Sequence, residues 1–338
     1  MTSPDRARVR LTEISPRAYE HPADRAALTA LRKVRGFDQM LRWLSGLFAG
    51  RTPRLLALAS TVRVDARQFP DIHRLVQDGA SILDLPEVPE VFVSNDPFTN
   101  ARTIGIEYAF IVLSSGLVDL LDEEELRFVI GHELGHVLSG HSVYRSMLDH
   151  LLALSRRVFF LPVGYLGLRA LITALEEWYR KSELSCDRAG VLAGQDPAAA
   201  LRAQMKLAGG GRLAEMDITA FLDQAREYDA QGDLRDGVLK LLSLQGQLHP
   251  FAVIRAAELR KWVDDGDYRS ILEGSYPRRG NEDEQSVSDD AREAARSYKQ
   301  TIDESADAFL RVLRVIGEEA ANVGQRVADR VRETRSDN

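Results

Sequence analysis

The sequence contains a single cysteine, Cys186, among its 338 residues. An intramolecular disulfide is therefore impossible, which excludes the disulfide-stapled class of small secreted domains and favours a reducing compartment. Positive charge is also in deficit, because 44 lysines and arginines face 51 aspartates and glutamates, and the net charge is −7. Such an acidic balance argues against nucleic acid as the main partner.

Long apolar runs are missing as well. No segment reaches the roughly 18–20 uninterrupted apolar residues of a transmembrane helix, and the polar N-terminus lacks the apolar core of a secretory signal. We therefore expect a cytoplasmic protein. The nearest apolar run, residues 158–175, is interrupted by Pro162 and Arg169. Two interpretations stay open for it: a buried helical hairpin that covers the site, or a peripheral membrane contact.

Histidine is scarce too, yet two of the seven histidines stand in the pentapeptide HELGH at residues 132–136. On a helix, this spacing places His132 and His136 on one face, where both can bind one zinc ion, with Glu133 beside them as general base. A chance match is expected roughly once in a hundred chains of this length. The alternative is a buried helix whose histidines are merely hydrogen-bonded.

The flanking residues predict that a helix carries this motif. Asp122 is a candidate N-cap, and Glu125 three residues later is its capping-box partner. Apolar residues then follow at helical spacing as far as Val137. Gly131 and Gly135 each weaken a helix by up to about 1 kcal/mol relative to alanine. Glycine at these positions is easier to understand if another backbone or a substrate comes close.

A catalytic zinc site keeps three protein ligands and one open position, so a third ligand is required. Glu183 and Asp187 stand four residues apart on a predicted helix. One carboxylate can bind the metal while the other hydrogen-bonds a ligand imidazole. The alternative is an exposed acidic face, because Glu176 and Arg180 belong to the same helix. Spacing alone does not choose between these interpretations.

These pieces together resemble the HtpX and CAAX-prenyl-protease type of zinc metallopeptidase, a gluzincin family with H-E-x-x-H and a distant E-x-x-x-D. Residues 100–105 resemble an altered form of the family's N-A-F-A-T-G segment, and residues 111–117 resemble the strand and turn before its active-site helix. His249-Pro250 with Arg255 resembles its later H-P-x-x-x-x-R element. The resemblance spans roughly residues 90–260.

The resemblance implies one Zn²⁺ ion per chain, with His132, His136 and Glu183 as its ligands. It further implies that Glu133 is the general base and that Asp187 supports a ligand imidazole. The implied activity is that of a zinc metalloendopeptidase acting on proteins or peptides, in quality control or precursor processing. The alternatives are a catalytically silent, zinc-bound scaffold and an interaction protein.

The resemblance also places His249 and Arg255 near the substrate, as catalytic residues that can donate a hydrogen bond to the carbonyl oxygen. For His249-Pro250 the alternative is a simple entry into a helix, with proline setting its first turn. Two other residues are expected to stand apart from the site. His141 falls about 140° round a continuous helix from His136, and Cys186 is interpreted as a small packing residue.

Three strands are predicted ahead of the motif helix, at residues 55–64, 87–96 and 104–113, with a helix near 69–83. This order is expected of an α+β, mostly helical, zincin-like metallopeptidase with a small sheet beside its active-site helix. If residues 104–113 formed an exposed edge, an extended peptide would be able to add to it as another strand. The alternative is an ordinary core strand.

The domain prediction has three parts. Residues 1–275 form the zinc metallopeptidase domain, and residues 276–297 form a flexible acidic linker. Residues 298–338 form an amphipathic helix. That helix either packs on its own protein or binds a partner or a second copy of the chain.

Overall fold

The computed structural model describes residues 7–32, 52–105, 108–157, 162–230 and 251–280. Three predicted features lie wholly or mostly outside these ranges, namely His249-Pro250, the linker at 276–297 and the helix at 298–338. They therefore stay predictions. The predicted helix at 24–48 is described only as far as Arg32.

Helices make up most of the described chain, and they accompany one small sheet. The strands are β1 (Val62–Arg63), β2 (Glu90–Ser94), β3 (Ala101–Ile104) and β4 (Phe110–Ser114). The helices are α1 (Pro22–Arg32), α2 (Thr52–Ser60), α3 (Pro70–Ile82), α4 (Ser115–Leu120), α5 (Glu123–Leu138), α6 (His141–Arg157), α7 (Pro162–Gly194), α8 (Pro197–Gly209), α9 (Ile218–Ala230), α10 (Ala252–Asp264) and α11 (Asp267–Leu272).

The sheet has the strand order β1-β2-β4-β3, with β2 and β4 parallel and the outer pairs antiparallel. Alternation along β2 sends Val91 and Val93 into the main core. Phe92 points to the opposite face, where its ring meets Phe110 edge-on at 5.7 Å and packs with Ala57 of α2. Both faces of the central strands are thus covered. This arrangement confirms the expected α+β fold with a small sheet.

The predicted single strand at 104–113 is wrong. The chain leaves β3 after Ile104 and returns antiparallel as β4 from Phe110. Gly105 makes this possible with φ +120, where a Cβ would approach the carbonyl oxygen of Tyr108 to 2.2 Å. The β-branched and aromatic residues are therefore shared between two strands, of which β3 lies at the sheet edge and β4 at its centre.

The predicted strand at 55–64 is also wrong, because α2 occupies most of it and only Val62–Arg63 pair with β2. Leucine and alanine are strong helix formers, and Pro53 fits the first turn of a helix, where its missing N–H costs nothing. The predictions at 87–96 and 69–83 are confirmed by β2 and α3.

The motif helix α5 begins as predicted. The Asp122 side chain accepts from the Glu125 backbone N–H, and the Glu125 side chain accepts from the Asp122 N–H, which completes the capping box. The fully buried Glu125 carboxylate also lies 2.6 Å from Lys206 Nζ and 3.4 Å from Arg202 Nε, both on α8. A buried carboxylate needs such partners. They tie the start of the motif helix to α8.

The two glycines of the motif helix allow a close crossing with α7. A Cβ on Gly131 would lie 2.5 Å from the Cβ of Ala193 and 3.1 Å from the Cα of Gly190. A Cβ on Gly135 would lie 2.6 Å from the Cβ of Ala189. The expectation that another backbone comes close at these glycines is therefore confirmed. Small residues at a crossing allow two helix axes to approach more closely than larger side chains permit.

The contacts divide the chain into two compact units. The first takes its described residues from Met1–His21, Ala49–Val143 and Ser182–Ser286, and it contains the sheet and the motif helix. The second takes its described residues from Pro22–Phe48 and Tyr144–Lys181.

Within the second unit, aromatic side chains hold α6 against α7. The rings of Tyr144 and Trp178 lie 4.9 Å apart, and the Arg145 guanidinium sits 4.4 Å from the centre of the Tyr179 ring. In the part of the chain that the structure describes, no helix has the length and apolar character needed to cross a membrane. The choice between the two interpretations of residues 158–175 stays a prediction.

The helix crossing predicts a stability effect. Gly131→Ala is expected to lower the free energy of unfolding by about 1–3 kcal/mol, because the new methyl group overpacks the crossing. This loss would outweigh the gain of up to about 1 kcal/mol from the better helix former. Urea denaturation of the purified chain measures it.

Gly194→Ala is the matched control, because it lies at the end of α7 and a Cβ there would meet no atom within 4 Å. Its stability should equal or exceed that of the unmodified chain. A Gly131→Ala protein as stable as this control would contradict the close crossing.

Candidate metal centre

Three buried side chains from two helices converge beside the crossing. His132 and His136 project one turn apart from α5, and their Nε2 atoms lie 3.2 Å apart. Glu183 comes from α7, and its carboxylate oxygens lie 3.5 Å from His132 Nε2 and 3.2 Å from His136 Nε2. The side chain of Glu183 has no exposed surface. The three side chains thus each present one ligand-type atom within 4.8 Å of the other two.

This set has the dimensions of a metal site. Ligand atoms at the corners of a tetrahedron lie about 3.4 Å apart when each is about 2.1 Å from a zinc-sized ion. The distance of 3.2 Å between the two Nε2 atoms is close to that edge length, and so are the distances of 3.5 and 3.2 Å from these nitrogens to the two oxygens of Glu183. Two imidazole nitrogens and one carboxylate oxygen are also the donor types that such sites use. His132, His136 and Glu183 therefore fit a bound metal ion.

Asp187 occupies the other side of His132. Its Oδ1 atom lies 3.0 Å from His132 Nδ1, and the Gln204 side chain donates to the same oxygen at 3.3 Å. Since Nδ1 faces a carboxylate, we assign the imidazole proton to Nδ1, which leaves the Nε2 lone pair directed at Glu183 and His136. The two carboxylates that spacing could not tell apart thus contact opposite nitrogens of one ring.

Arg255 joins the cluster from α10. Its Nε donates to Asp187 Oδ2 at 2.7 Å and its Nη2 to Oδ1 at 2.5 Å, so the guanidinium grips both oxygens of the carboxylate. Its Nη1 lies 3.4 Å from Glu183 Oε2. The structure therefore brings Arg255 onto the acidic members of the cluster. His249, predicted to accompany it, lies outside the described residues.

Negative charge is in excess inside this cluster. Glu133, Glu183 and Asp187 supply three buried carboxyl groups, and Arg255 is the guanidinium that contacts two of them. Burial lowers the pKa of His132, but hydrogen bonds that the imidazole donates to Asp187 and Glu183 outweigh burial and raise that pKa to about 9. Burial raises the pKa of Asp187, but Arg255 more than reverses this effect. The cluster thus attracts positive charge.

Glu133 is positioned by a residue that the sequence did not single out. The Thr103 hydroxyl lies 2.7 Å from Glu133 Oε2 and 3.2 Å from the Glu133 backbone oxygen. Thr103 belongs to β3, and its side chain is buried against α5. No local pattern marks this contact, because the two residues meet only when the sheet edge packs on the helix.

His141 and Cys186 also lie beside His136, contrary to the prediction that both stand apart from the site. Helix α5 ends at Leu138, and the chain turns through Gly140 at φ +68 before α6 begins. The angle of about 140° between His136 and His141, which assumed one continuous helix, therefore does not apply. Gly140 was the residue in the sequence that indicated the end of the helix. The ring of His141 lies 5.4 Å from that of His136, and the Cys186 Sγ lies 3.5 Å from His141 Nδ1. Burial lowers the pKa of His141 well below its usual value.

Comparison with known proteins agrees with this geometry. Residues 66–263 match peptidase family M48, which is more than half of the chain and includes every described member of the cluster. The chain belongs to peptidase family M48. The resemblance to HtpX-type metallopeptidases drawn from the motifs is thereby confirmed. The family and the names of the relatives support a metallopeptidase.

Two kinds of relative are similar to this chain. The chain is 34% identical over 260 residues to the plastoglobule-localized metallopeptidase 48 of Arabidopsis thaliana. This alignment covers 75% of the chain and 74% of the relative. It is 33% identical over 88 residues to the protease HtpX homolog of Streptococcus pneumoniae. This alignment covers 25% of the chain and 29% of that relative. No solved structure matches the chain.

The contact between His132 and Asp187 predicts how metal affinity depends on its neighbours. Asp187→Asn is expected to weaken metal binding about 10–100-fold, because the imidazole loses its charged partner. Equilibrium dialysis against a metal buffer measures the affinity.

Asp196→Asn is the matched control. Asp196 caps α8 through the Ala199 N–H, and asparagine caps a helix equally well. Equal metal affinity in the two variants would contradict a supporting role for Asp187.

Proposed function

We propose that this chain is a zinc-dependent metalloendopeptidase, with zinc held by His132, His136 and Glu183 and with Glu133 as general base. The observation that carries the proposal is that His132, His136 and Glu183 each present one ligand atom within 4.8 Å of the other two, while Glu133, the residue next to His132, supplies a buried carboxyl group that is not part of the ligand set. A metal-binding scaffold needs only the three ligands. A hydrolase needs the fourth group as well.

The chemistry follows from the groups in the cluster. When bound, zinc lowers the pKa of a coordinated water to about 7 and polarises the peptide carbonyl. Glu133 takes the proton of the attacking water and then delivers it to the departing amine. Burial of Glu133 keeps bulk water from competing for that proton.

Thr103 gives Glu133 a fixed orientation in this proposal. Its hydroxyl hydrogen-bonds one carboxylate oxygen, Oε2, which holds the group in one rotamer and leaves the other oxygen to exchange the proton. The contact is short, at 2.7 Å, and is made to a charged acceptor. Thr103 is therefore a positioning residue, and Glu133 the catalytic one.

We propose that Arg255 supports the residues of the metal site. His249 stays the proposed group near the substrate. All three guanidinium nitrogens of Arg255 lie within 3.4 Å of the Asp187 and Glu183 carboxylates. Such a grip fixes the rotamers of a metal ligand and of its neighbour at once. A guanidinium engaged in this way holds the site together and contributes to catalysis through Asp187 and Glu183.

The location of β3 suggests how a peptide substrate is held. This strand is one of the two outer strands of the sheet, and its residue Thr103 contacts Glu133. An extended peptide that added beside β3 would run past Glu133, held mainly by backbone hydrogen bonds. Recognition through the backbone fits an endopeptidase that accepts varied sequences, in quality control or in precursor processing.

A catalytically silent zinc scaffold is the second candidate. Replacement of the general base is the simplest way to keep the metal and lose the activity. Here Glu133 is present, buried and oriented by a hydroxyl. This observation favours the enzyme.

Metal analysis combined with peptide hydrolysis tests the proposal. The purified chain should contain about one zinc ion, and His132→Ala should lose it. Glu133→Gln should retain zinc, while hydrolysis of an unfolded protein substrate falls by about 10²–10⁴-fold, the usual contribution of a general base. A chain without metal, or an active Glu133→Gln variant, would overturn the proposal.

The role of Thr103 is tested separately. Thr103→Val should lower kcat by about tenfold or more, with KM and zinc content nearly unchanged, because a hydrogen bond to a charged group is lost. Thr103→Ser should restore kcat. Thr61→Val, which removes a hydroxyl bonded to the Ala57 carbonyl away from the cluster, is the control. A loss of thermal stability in Thr103→Val without a loss of kcat would reduce Thr103 to a structural residue.

A further inference from the structure

A second set of ligand-type side chains lies against the first. His136, His141 and Cys186 are fully or nearly fully buried, and each presents one ligand atom within 4.8 Å of the other two. They come from three different helices, α5, α6 and α7. His136 belongs to both sets, whereas His141 and Cys186 have no part in the proposed hydrolysis.

The dimensions of this set suit a metal ion that prefers sulfur. A thiolate about 2.3 Å and an imidazole nitrogen about 2.1 Å from a tetrahedral ion lie about 3.6 Å apart. Cys186 Sγ and His141 Nδ1 are 3.5 Å apart, so two of the three ligands already have the required spacing. A soft thiolate among two imidazoles selects ions that prefer sulfur over those that prefer oxygen.

We propose that His136, His141 and Cys186 form a second metal position, which takes a thiophilic divalent ion such as cadmium or excess zinc. Binding converts the Cys186 thiol to a thiolate and releases its proton to solvent, so no oxidant or reductant is required. Because His136 is shared, an ion here competes with the metal held by His132 and Glu183. The second position therefore makes the enzyme sensitive to thiophilic metals.

The proposal does not depend on peptide hydrolysis, because its measurements are metal content and absorption. The folded full-length chain is titrated with cadmium chloride and separated from free metal by gel filtration. Cadmium per chain is then measured together with near-ultraviolet charge-transfer absorption from thiolate to cadmium. Cys186 is the one cysteine in the sequence, so this absorption reports on that side chain alone. Bound cadmium with the absorption is expected, and its absence would overturn the proposal.

Three variants locate the ion. His141→Gln should weaken cadmium binding by more than about tenfold. Loss of a residue that only hydrogen-bonds a metal ligand already weakens binding by about that factor, and loss of a ligand should cost more. His73→Gln, at a partly exposed position of α3, should bind cadmium as the unmodified chain does. His132→Ala removes a ligand of the first set only, and it should keep the absorption and bind cadmium at least as tightly.

Two outcomes overturn the proposal even if cadmium binds. Disappearance of the absorption in His132→Ala would show that the ion bound to Cys186 also requires His132, so that His136, His141 and Cys186 do not form the site by themselves. Equal cadmium affinity in His141→Gln and His73→Gln would show that Cys186 binds the ion without His141. Should His141→Gln fail to fold, as judged by circular dichroism, the unmodified chain and His132→Ala still decide whether Cys186 binds the ion independently of His132.

Discussion

The close crossing of α5 and α7 is the constraint on which the rest of this structure depends. Neither helix carries a complete metal site, since α5 supplies two imidazoles and α7 supplies Glu183 and Asp187. The carboxylates reach the imidazoles only because the axes approach at Gly131 and Gly135, where any Cβ would collide with α7. Gly131 and Gly135, although glycine is a poor helix former, thus lie where the backbones of α5 and α7 come closest. The weaker helix is offset by the capping box and the buried ion pairs at its start.

Packing this close concentrates negative charge in the protein interior, and the charge decides what the site can bind. A buried carboxylate is costly unless paired. Here Arg255 neutralises part of the excess through hydrogen bonds to both oxygens of Asp187. A divalent ion would neutralise this negative charge with two positive charges at once. Stability and metal binding therefore have a common electrostatic origin in this cluster.

Sequence reasoning succeeded where chemistry is local. The capping box of Asp122 and Glu125, the spacing of His132 and His136, and the small-residue signal at Gly131 each rely on contacts within one helix or on one backbone property. It failed where contacts depend on the path of the chain. Residues 104–113 look like one strand because strand-forming residues follow one another without a break. In the structure, the turn that begins at Gly105 divides them between β3 and β4. His141 was placed by extending a helix that stops at Leu138.

The sequence by itself determined the class of chemistry, because H-E-x-x-H on a helix and a later pair of carboxylates specify which atoms are available for a metal and a base. Only the tertiary structure decided how those atoms are distributed. It put Glu183 on the Nε2 side and Asp187 on the Nδ1 side of one imidazole, brought Thr103 to Glu133, and added the His141 and Cys186 pair behind His136. The physical reason is that these contacts join residues on different elements, and their distances are set by how strands and helices pack.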